Sequence, residues 1–198
     1  MKMISPFFIF PNIGWWVKIL NADIVALDGY EHFEKMTYRN RYRISGANNS
    51  ILLSVPLVNG RNQHVQMKDL RIYNEEAWQI RHWRTLVSVY NRAPYFDHYE
   101  KSLKPLFETQ FDYLTDFNMA ALRWTKQQLK LEFEIEQTDV YVKEYPTAIT
   151  DLRNVKYPSG TLPKYYQVFE DRIGFQPDIS ILDMLFSEGP GAVYRLRS

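Results

Sequence analysis

Three arginines, Arg39, Arg41 and Arg43, sit two residues apart in the stretch Met36–Ile44, with Lys35 just upstream. Residues two apart on a strand share a face. Thr37, Arg39, Arg41 and Arg43 would then point one way, and Tyr38, Asn40, Tyr42 and Ile44 the other. Guanidinium groups lined up at that spacing repel one another unless negative charge lies across them. Two arrangements supply it. One is an anionic ligand such as a pyrophosphate, which the arginine fork grips bidentately. The other is a set of acidic side chains from a neighbouring strand.

The four histidines are His32, His64, His82 and His98. None falls in an H-E-x-x-H pattern, and no pair has i, i+4 spacing. Glu31-His32-Phe33-Glu34 gathers two carboxylates near an imidazole, but adjacent strand residues face opposite sides, so no metal site is expected. His82 follows Trp78 by one turn and lies beside an apolar helical stripe. It reads either as a satisfied structural histidine or as a general base in a cleft. Asp183 stands among Ile181, Leu182, Met184, Leu185 and Phe186. A carboxylate there is either a raised-pKa acid or part of the S-x-x-D capping box that starts at Ser180.

The elements that must position these groups follow from periodicity. Asp23–Asp28 is a short apolar run with polar ends, which suits a buried strand. Met36–Ile44 and Ile51–Leu57 flank the turn residues Gly46–Ser50 and predict a hairpin. Lys68–Tyr73 predicts a third strand. Ile80, Trp83, Leu86, Val87 and Tyr90 recur at helical spacing up to Pro94. Tyr95–Phe107 predicts a short helix broken by Pro105, and Leu114–Leu129 a longer one. Phe133–Ile135 reads as extended, and Val140–Pro163 as a long loop. Lys164–Ile173 predicts a helix capped by Gly174, and Ser180–Phe186 a last one closed by Gly189 and Pro190. Early strands and late helices give an α+β fold, with antiparallel strands near 36–57 packed against a largely helical C-terminal half. A length of 198 residues suits one domain spanning 1–198.

Composition narrows the chemistry. The chain has no cysteine, which removes disulfides, thiolate metal sites and thiol nucleophiles. Phosphate-loop, G-x-G-x-x-G and G-x-S-x-G motifs are absent. With 24 Lys and Arg against 23 Asp and Glu, the net charge is +1, so a general nucleic-acid binder is disfavoured. The apolar start, Met1–Leu20, is interrupted by Pro6, Pro11 and Asn12 and does not read as a signal peptide. No segment approaches ~18 uninterrupted apolar residues, so no membrane span is expected, and the cytoplasm is the expected compartment. Aromatic residues make up 16% of the chain. Most of them fall at helical spacing, as core residues do.

Four blocks, taken in order, resemble the WbqC-like protein family. They are Phe10-Pro-Asn-Ile-Gly-Trp-Trp16; Lys35-Met-Thr-Tyr-Arg-Asn-Arg41 through Gly46-Ala-Asn48; Trp78-x3-His82-Trp83 with Ala93-Pro-Tyr-Phe96; and Tyr165-Tyr-Gln-Val-Phe169 through Ser180–Phe186 to Gly189-Pro190. The resemblance implies a setting in bacterial surface-polysaccharide (O-antigen-type) biosynthesis. It also implies a transferase that moves an aminoacyl or acyl group onto a nucleotide-linked amino sugar.

On that reading the ligand-binding candidates are Lys35, Tyr38, Arg39, Asn40, Arg41, Trp83, Tyr166 and Gln167. His82 would take the proton of the attacking amine and Asp183 would orient it. Trp15 and Trp16 are further stacking surfaces. The expected partner is a small molecule, either the nucleotide sugar or an activated acyl donor, with no cofactor and no metal. Without a thiol or serine elbow, direct attack on the donor is expected rather than a covalent acyl-enzyme. The alternative is a non-catalytic glycan- or protein-binding component of a surface-assembly system.

Overall fold

The computed structural model describes residues 1–60, 62–156 and 162–198. Two sheets and a helical layer make up the architecture, which is α+β. Strand β1 (Lys2–Ser5) leads through helix α1 (Ile13–Ile19) to β2 (Ile24–Leu27). Much later the chain adds β5 (Glu134–Gln137) and β6 (Ile149–Asp151). These four strands form one sheet in the order β5-β2-β1-β6, and every pairing is parallel. The Asp23–Asp28 run is β2, buried from Val25 to Leu27, as parallel strands covered on both faces are.

The hairpin is present: β3 (Arg41–Ile44) pairs antiparallel with β4 (Ile51–Ser54). It starts later than the alternation suggested. Residues 35–40 form turns, and Met36 has φ +66°. Arg39 therefore does not share a strand face with Arg41 and Arg43. Gly46 makes the tight connection, where a Cβ would lie 2.5 Å from the Asn49 carbonyl oxygen. The third strand expected at Lys68–Tyr73 is instead a 3-10 turn over Met67–Asp69, followed by isolated bridges at Arg71 and Ile72.

The helical layer comprises α2 (Trp78–Tyr90), α3 (Phe96–Glu108) and α4 (Leu114–Gln128), with α3 packed against both others. The buried stripe of α2 is Trp78, His82, Leu86 and Tyr90, one residue per turn. Pro105 does not break α3. It lies in the last turn, where the carbonyl it leaves without a donor belongs to the exposed Lys101. Only Glu170–Ile173 of the expected 164–173 helix is helical, as α5, and it ends at Gly174 with φ +72°. Helix α6 (Ile181–Glu188) then packs against α3, and α7 (Ala192–Arg197) packs against α1 and α6. Within Val140–Pro163, β6 is an unanticipated strand, and residues 157–161 lie outside the described set.

One contiguous core runs from the sheet through the hairpin to the helices. Most aromatic mass is there, including Trp15, Trp16, Trp78, Tyr42 and Phe117. Phe10 is unusual: it is a bulky residue at φ +40° directly before Pro11. Such a conformation costs about 1–3 kcal/mol. It persists because the ring is held edge-on by Tyr42, Phe117 and Trp124. This turn carries the chain from the end of β1 to Asn12, whose side chain caps α1 by accepting from the Trp15 backbone N–H at 3.2 Å.

Candidate functional site

In open parallel sheets ligands bind outside the carboxyl ends of the strands, where the chain reverses its direction of winding. Here the sheet grows from β1 to β2 to β5 on one side, and then β6 is added on the other side of β1. The reversal point is thus the β1/β6 junction. The segments leaving it are Pro6–Phe8 after β1 and Leu152–Lys156 after β6. A crevice opens there between Phe8, the 34–39 turn and Arg153–Lys156.

Its floor is a network of ion pairs. Asp28, directly after β2, is fully buried. It accepts from the backbone N–H groups of Tyr30 and Glu31 at 2.9 and 3.1 Å and from the Thr138 hydroxyl at 3.1 Å. Arg153, 7% exposed, donates to Asp28 at 2.8 Å and to Asp151 through Nε and a terminal nitrogen, the latter at 2.6 Å. Tyr145 and Tyr141 face the Arg153 guanidinium at 4.9 and 5.4 Å. Burial alone would lift the Asp151 carboxyl, but the hydrogen bonds and charge of Arg153 override it and hold Asp151 below its usual range. The hydrogen bonds from Asp151 raise the Arg153 pKa in turn.

Arg39 forms the opposite wall. It is 3% exposed, and its Nε and a terminal nitrogen grip Glu31 at 2.8 Å each. The other terminal nitrogen donates to Glu34 and to the Thr37 hydroxyl, both at 3.1 Å. Desolvation pushes the Glu31 pKa up against the pull of Arg39. The anion across Arg39 is therefore internal. Of the two arrangements open from sequence, the acidic side chains hold for this residue. The signal was in the sequence, since Glu31 and Glu34 lie just upstream, but on a turn rather than on a neighbouring strand.

Glu31, Glu34 and the two guanidiniums line the crevice, and Asp28 and Asp151 stand behind Arg153. Glu34 is the carboxylate open to solvent, with a side chain 65% exposed. Exposed lysines stand around the rim, Lys143 and Lys156, while the Lys35 ammonium donates to Asn62 at 3.3 Å. Tyr38 lines the crevice and donates its hydroxyl to Asp178. Burial first, then that bond, raises the Tyr38 pKa.

The other residues singled out by sequence lie elsewhere. His82 is 4% exposed, and both of its ring nitrogens are engaged. Nδ1 lies 3.3 Å from the Tyr42 hydroxyl and Nε2 lies 3.2 Å from the Ser54 carbonyl oxygen. Nε2–H therefore donates to Ser54, and Nδ1 accepts from Tyr42. Desolvation lowers its pKa to about 4. Asp183 is fully buried and accepts from Tyr90 at 2.6 Å and Tyr165 at 2.8 Å. Burial raises its pKa to about 6, against those two hydrogen bonds. Ser180 does cap α6, accepting from the Leu182 N–H at 3.2 Å, but the Asp183 carboxylate turns inward to the tyrosines instead of completing the box.

Gln167 extends that interior network, donating to the Tyr165 hydroxyl and to the Gln176 carbonyl at 2.9 Å each. Asn40 ties the hairpin by donating to the Val55 carbonyl at 3.1 Å. Arg41 is half-buried on β3, and Trp83 packs on Phe96 and Phe107. Tyr166 is 60% exposed, with its backbone N–H on Glu188. Trp15 and Trp16 are core residues. Of the residues singled out, the structure brings Tyr38 and Arg39 to the crevice, and it does not bring Lys35, His82 and Asp183 there. Sequence reasoning missed Asp151 and Arg153, two residues apart, and Asp28, which meets Arg153 from far along the chain.

No helix among the described residues is long and apolar enough to cross a membrane. Comparison with curated proteins and with solved structures finds no match. A family model does match, over residues 7–151, from just after β1 to the end of β6. It therefore includes all four carboxylates, Asp28, Glu31, Glu34 and Asp151, and stops just before Arg153. Covering most of the 198 residues, that match establishes that the chain belongs to the WbqC-like protein family.

Proposed function

We propose that the crevice binds a nucleotide-linked amino sugar and that the protein transfers an acyl or aminoacyl group to its amine. The observation that carries this reading is the charge layout at the carboxyl edge of the parallel sheet. An exposed carboxylate, Glu34, stands on a floor whose guanidiniums are already consumed, and lysines occupy the rim. A ligand suited to that layout carries a cationic or neutral amine toward Glu34 and phosphates toward Lys156. A nucleoside diphosphate amino sugar has both. Membership of a family associated in general with polysaccharide biosynthesis supports the substrate class.

Glu34 is the group we assign to take the amine proton, because it touches the open volume and His82 does not. The pyrophosphate role that the arginine row suggested passes to Lys156. Binding and chemistry are tested together by calorimetry with UDP-glucosamine and with its N-acetylated counterpart. The free amine is expected to bind about tenfold tighter, as a charge-assisted contact worth ~1.5–3 kcal/mol implies. Glu34→Gln should erase that difference. Equal affinity for both sugars in the wild type would sink the assignment.

One observation favours a second reading, a binding protein without catalysis: His82 and Asp183 are both fully engaged inside the fold. Incubation of the amino sugar with acyl donors, followed by mass analysis, separates the two. The transferase reading requires an acylated sugar.

A further inference from the structure

The crevice is two chambers. One, of about 410 Å³, is lined by Phe8, Met36, Tyr38, Val155 and Lys156. The other, of about 350 Å³, is lined by His32, Phe33, Tyr141 and Lys143. Glu34, Arg39, Arg153 and Asn154 belong to both linings and form the wall between them. That wall does not yield easily. Arg39 and Arg153 are both buried and bridged to acidic partners on separate segments, and opening it would strand charges out of water. Each chamber has the volume of a small-ligand site. Their linings differ in kind. The first offers two aromatic rings and two aliphatic chains with a lysine at its mouth. The second offers an imidazole, an ammonium, a phenol and the Phe33 ring, with the Glu31 carboxylate in its lining already gripped by Arg39.

We infer that the two chambers hold two different substrates at once: a nucleobase with its phosphates on the Tyr38 side, and an acyl phosphate on the His32–Lys143 side. The inference rests on the transferase reading above. Planar bases stack on aromatic rings, and the half-buried Tyr38 offers the ring while Lys156 supplies a cation for the phosphate. An acyl phosphate is small and doubly anionic, so it fits beside His32 and Lys143. The substrates meet at Glu34, the one wall residue with an exposed carboxylate. The nitrogen lone pair of the amino sugar attacks the acyl carbon and forms the C–N bond. The C–O bond to phosphate breaks, its electron pair leaves with the phosphate, and the proton lost by nitrogen goes to Glu34. No enzyme-bound acyl group is needed, and two subsites with a shared wall supply the proximity that direct transfer requires.

Amide chemical shifts locate the ligands, and calorimetry measures them. The probes are UDP-glucosamine and acetonylphosphonate, an unreactive mimic of acetyl phosphate. UDP-glucosamine is expected to shift the amides of Met36, Tyr38 and Lys156 and to leave His32 and Lys143 in place. Acetonylphosphonate, added to the nucleotide-saturated protein, should then shift His32 and Lys143 without releasing the nucleotide. Tyr38→Leu should weaken the nucleotide about tenfold or more with the phosphonate unaffected, and Lys143→Ala the reverse, as one lost stacking or charge-assisted contact implies. Mutual displacement, or shifts from one probe on both sides of the wall, overturns the two-chamber inference while leaving the amino-sugar reading standing. Failure of UDP-glucosamine to bind at all overturns both.

Discussion

Two regions of this molecule bury ionisable groups, and they bury them differently. Around His82 and Asp183 every partner is neutral: Tyr42 and the Ser54 carbonyl for the imidazole, Tyr90 and Tyr165 for the carboxylate. At the sheet edge the partners are charged: Arg153 with Asp28 and Asp151, Arg39 with Glu31 and Glu34. The neutral region is closed to solvent and ties α2, α6 and the 165–176 segment together. The charged region borders open volume and leaves Glu34 exposed. A perturbed pKa is thus a poor guide to function in this chain unless the group also faces space that a ligand can enter.

Removing the charged partners should produce the largest effect. Arg153→Ala leaves Asp28 buried without its countercharge and should cost about 3–5 kcal/mol in denaturant unfolding. Asp183→Asn should do far less at pH 4, because Asp183 is already protonated there. Instead it changes the slope of stability with pH. Burial raises the folded Asp183 pKa to about 6. The stability it contributes is therefore full near pH 4 and is lost as pH rises through 6, by roughly 2–3 kcal/mol.

His82 works in the opposite sense. Its folded pKa of about 4 lies below the ordinary value. Its contribution is full above pH 6.5 and is lost as pH falls toward 4. The two slopes oppose each other across nearly the same window. Relative to wild type, Asp183→Asn should make the protein lose stability faster on acidification, and His82→Gln should make it lose stability more slowly. Chemical denaturation at several pH values between 4 and 7 checks both. Parallel profiles for all three proteins would break the contrast drawn between the regions.

Smaller effects belong to the exposed rim. Glu34→Gln should change stability by no more than about 1 kcal/mol, since its ion pair with Arg39 is solvent-exposed on the Glu34 side. Its effect should appear in ligand preference. Lys156→Ala should leave the unfolding midpoint within error and weaken nucleotide binding about tenfold, as the loss of a charge-assisted contact implies.

Much of the scaffold was legible because its signals are local. The α2 stripe, the Leu114–Leu129 helix, the hairpin turn at Gly46–Ser50 and the Ser180 cap all follow from residues within a few positions of one another. The site was largely illegible because the contact that joins its two local ion-pair groups to the sheet is not local. Arg153 meets Asp28 across more than half the chain, and β6 is three residues long with no apolar pattern. The arginine row misled through its regularity. Strict alternation implied one strand face, yet the turn at Met36 takes Arg39 out of the strand and into the Glu31 carboxylate. His82 showed the reverse. Its one-turn offset from Trp78 already marked it as part of a buried stripe.

The pairing of Lys2 with Ile149 bears on how the chain reaches this state. Contacts between such distant residues carry a large loop-closure cost and tend to form late, whereas the helices and hairpin are made of near neighbours. Until β6 docks, one edge of β1 has no strand beside it, and Arg153 has not reached Asp28. During refolding the crevice should therefore appear last, after most secondary structure. The waiting edge of β1, apolar and unpaired, is where molten chains would first find one another.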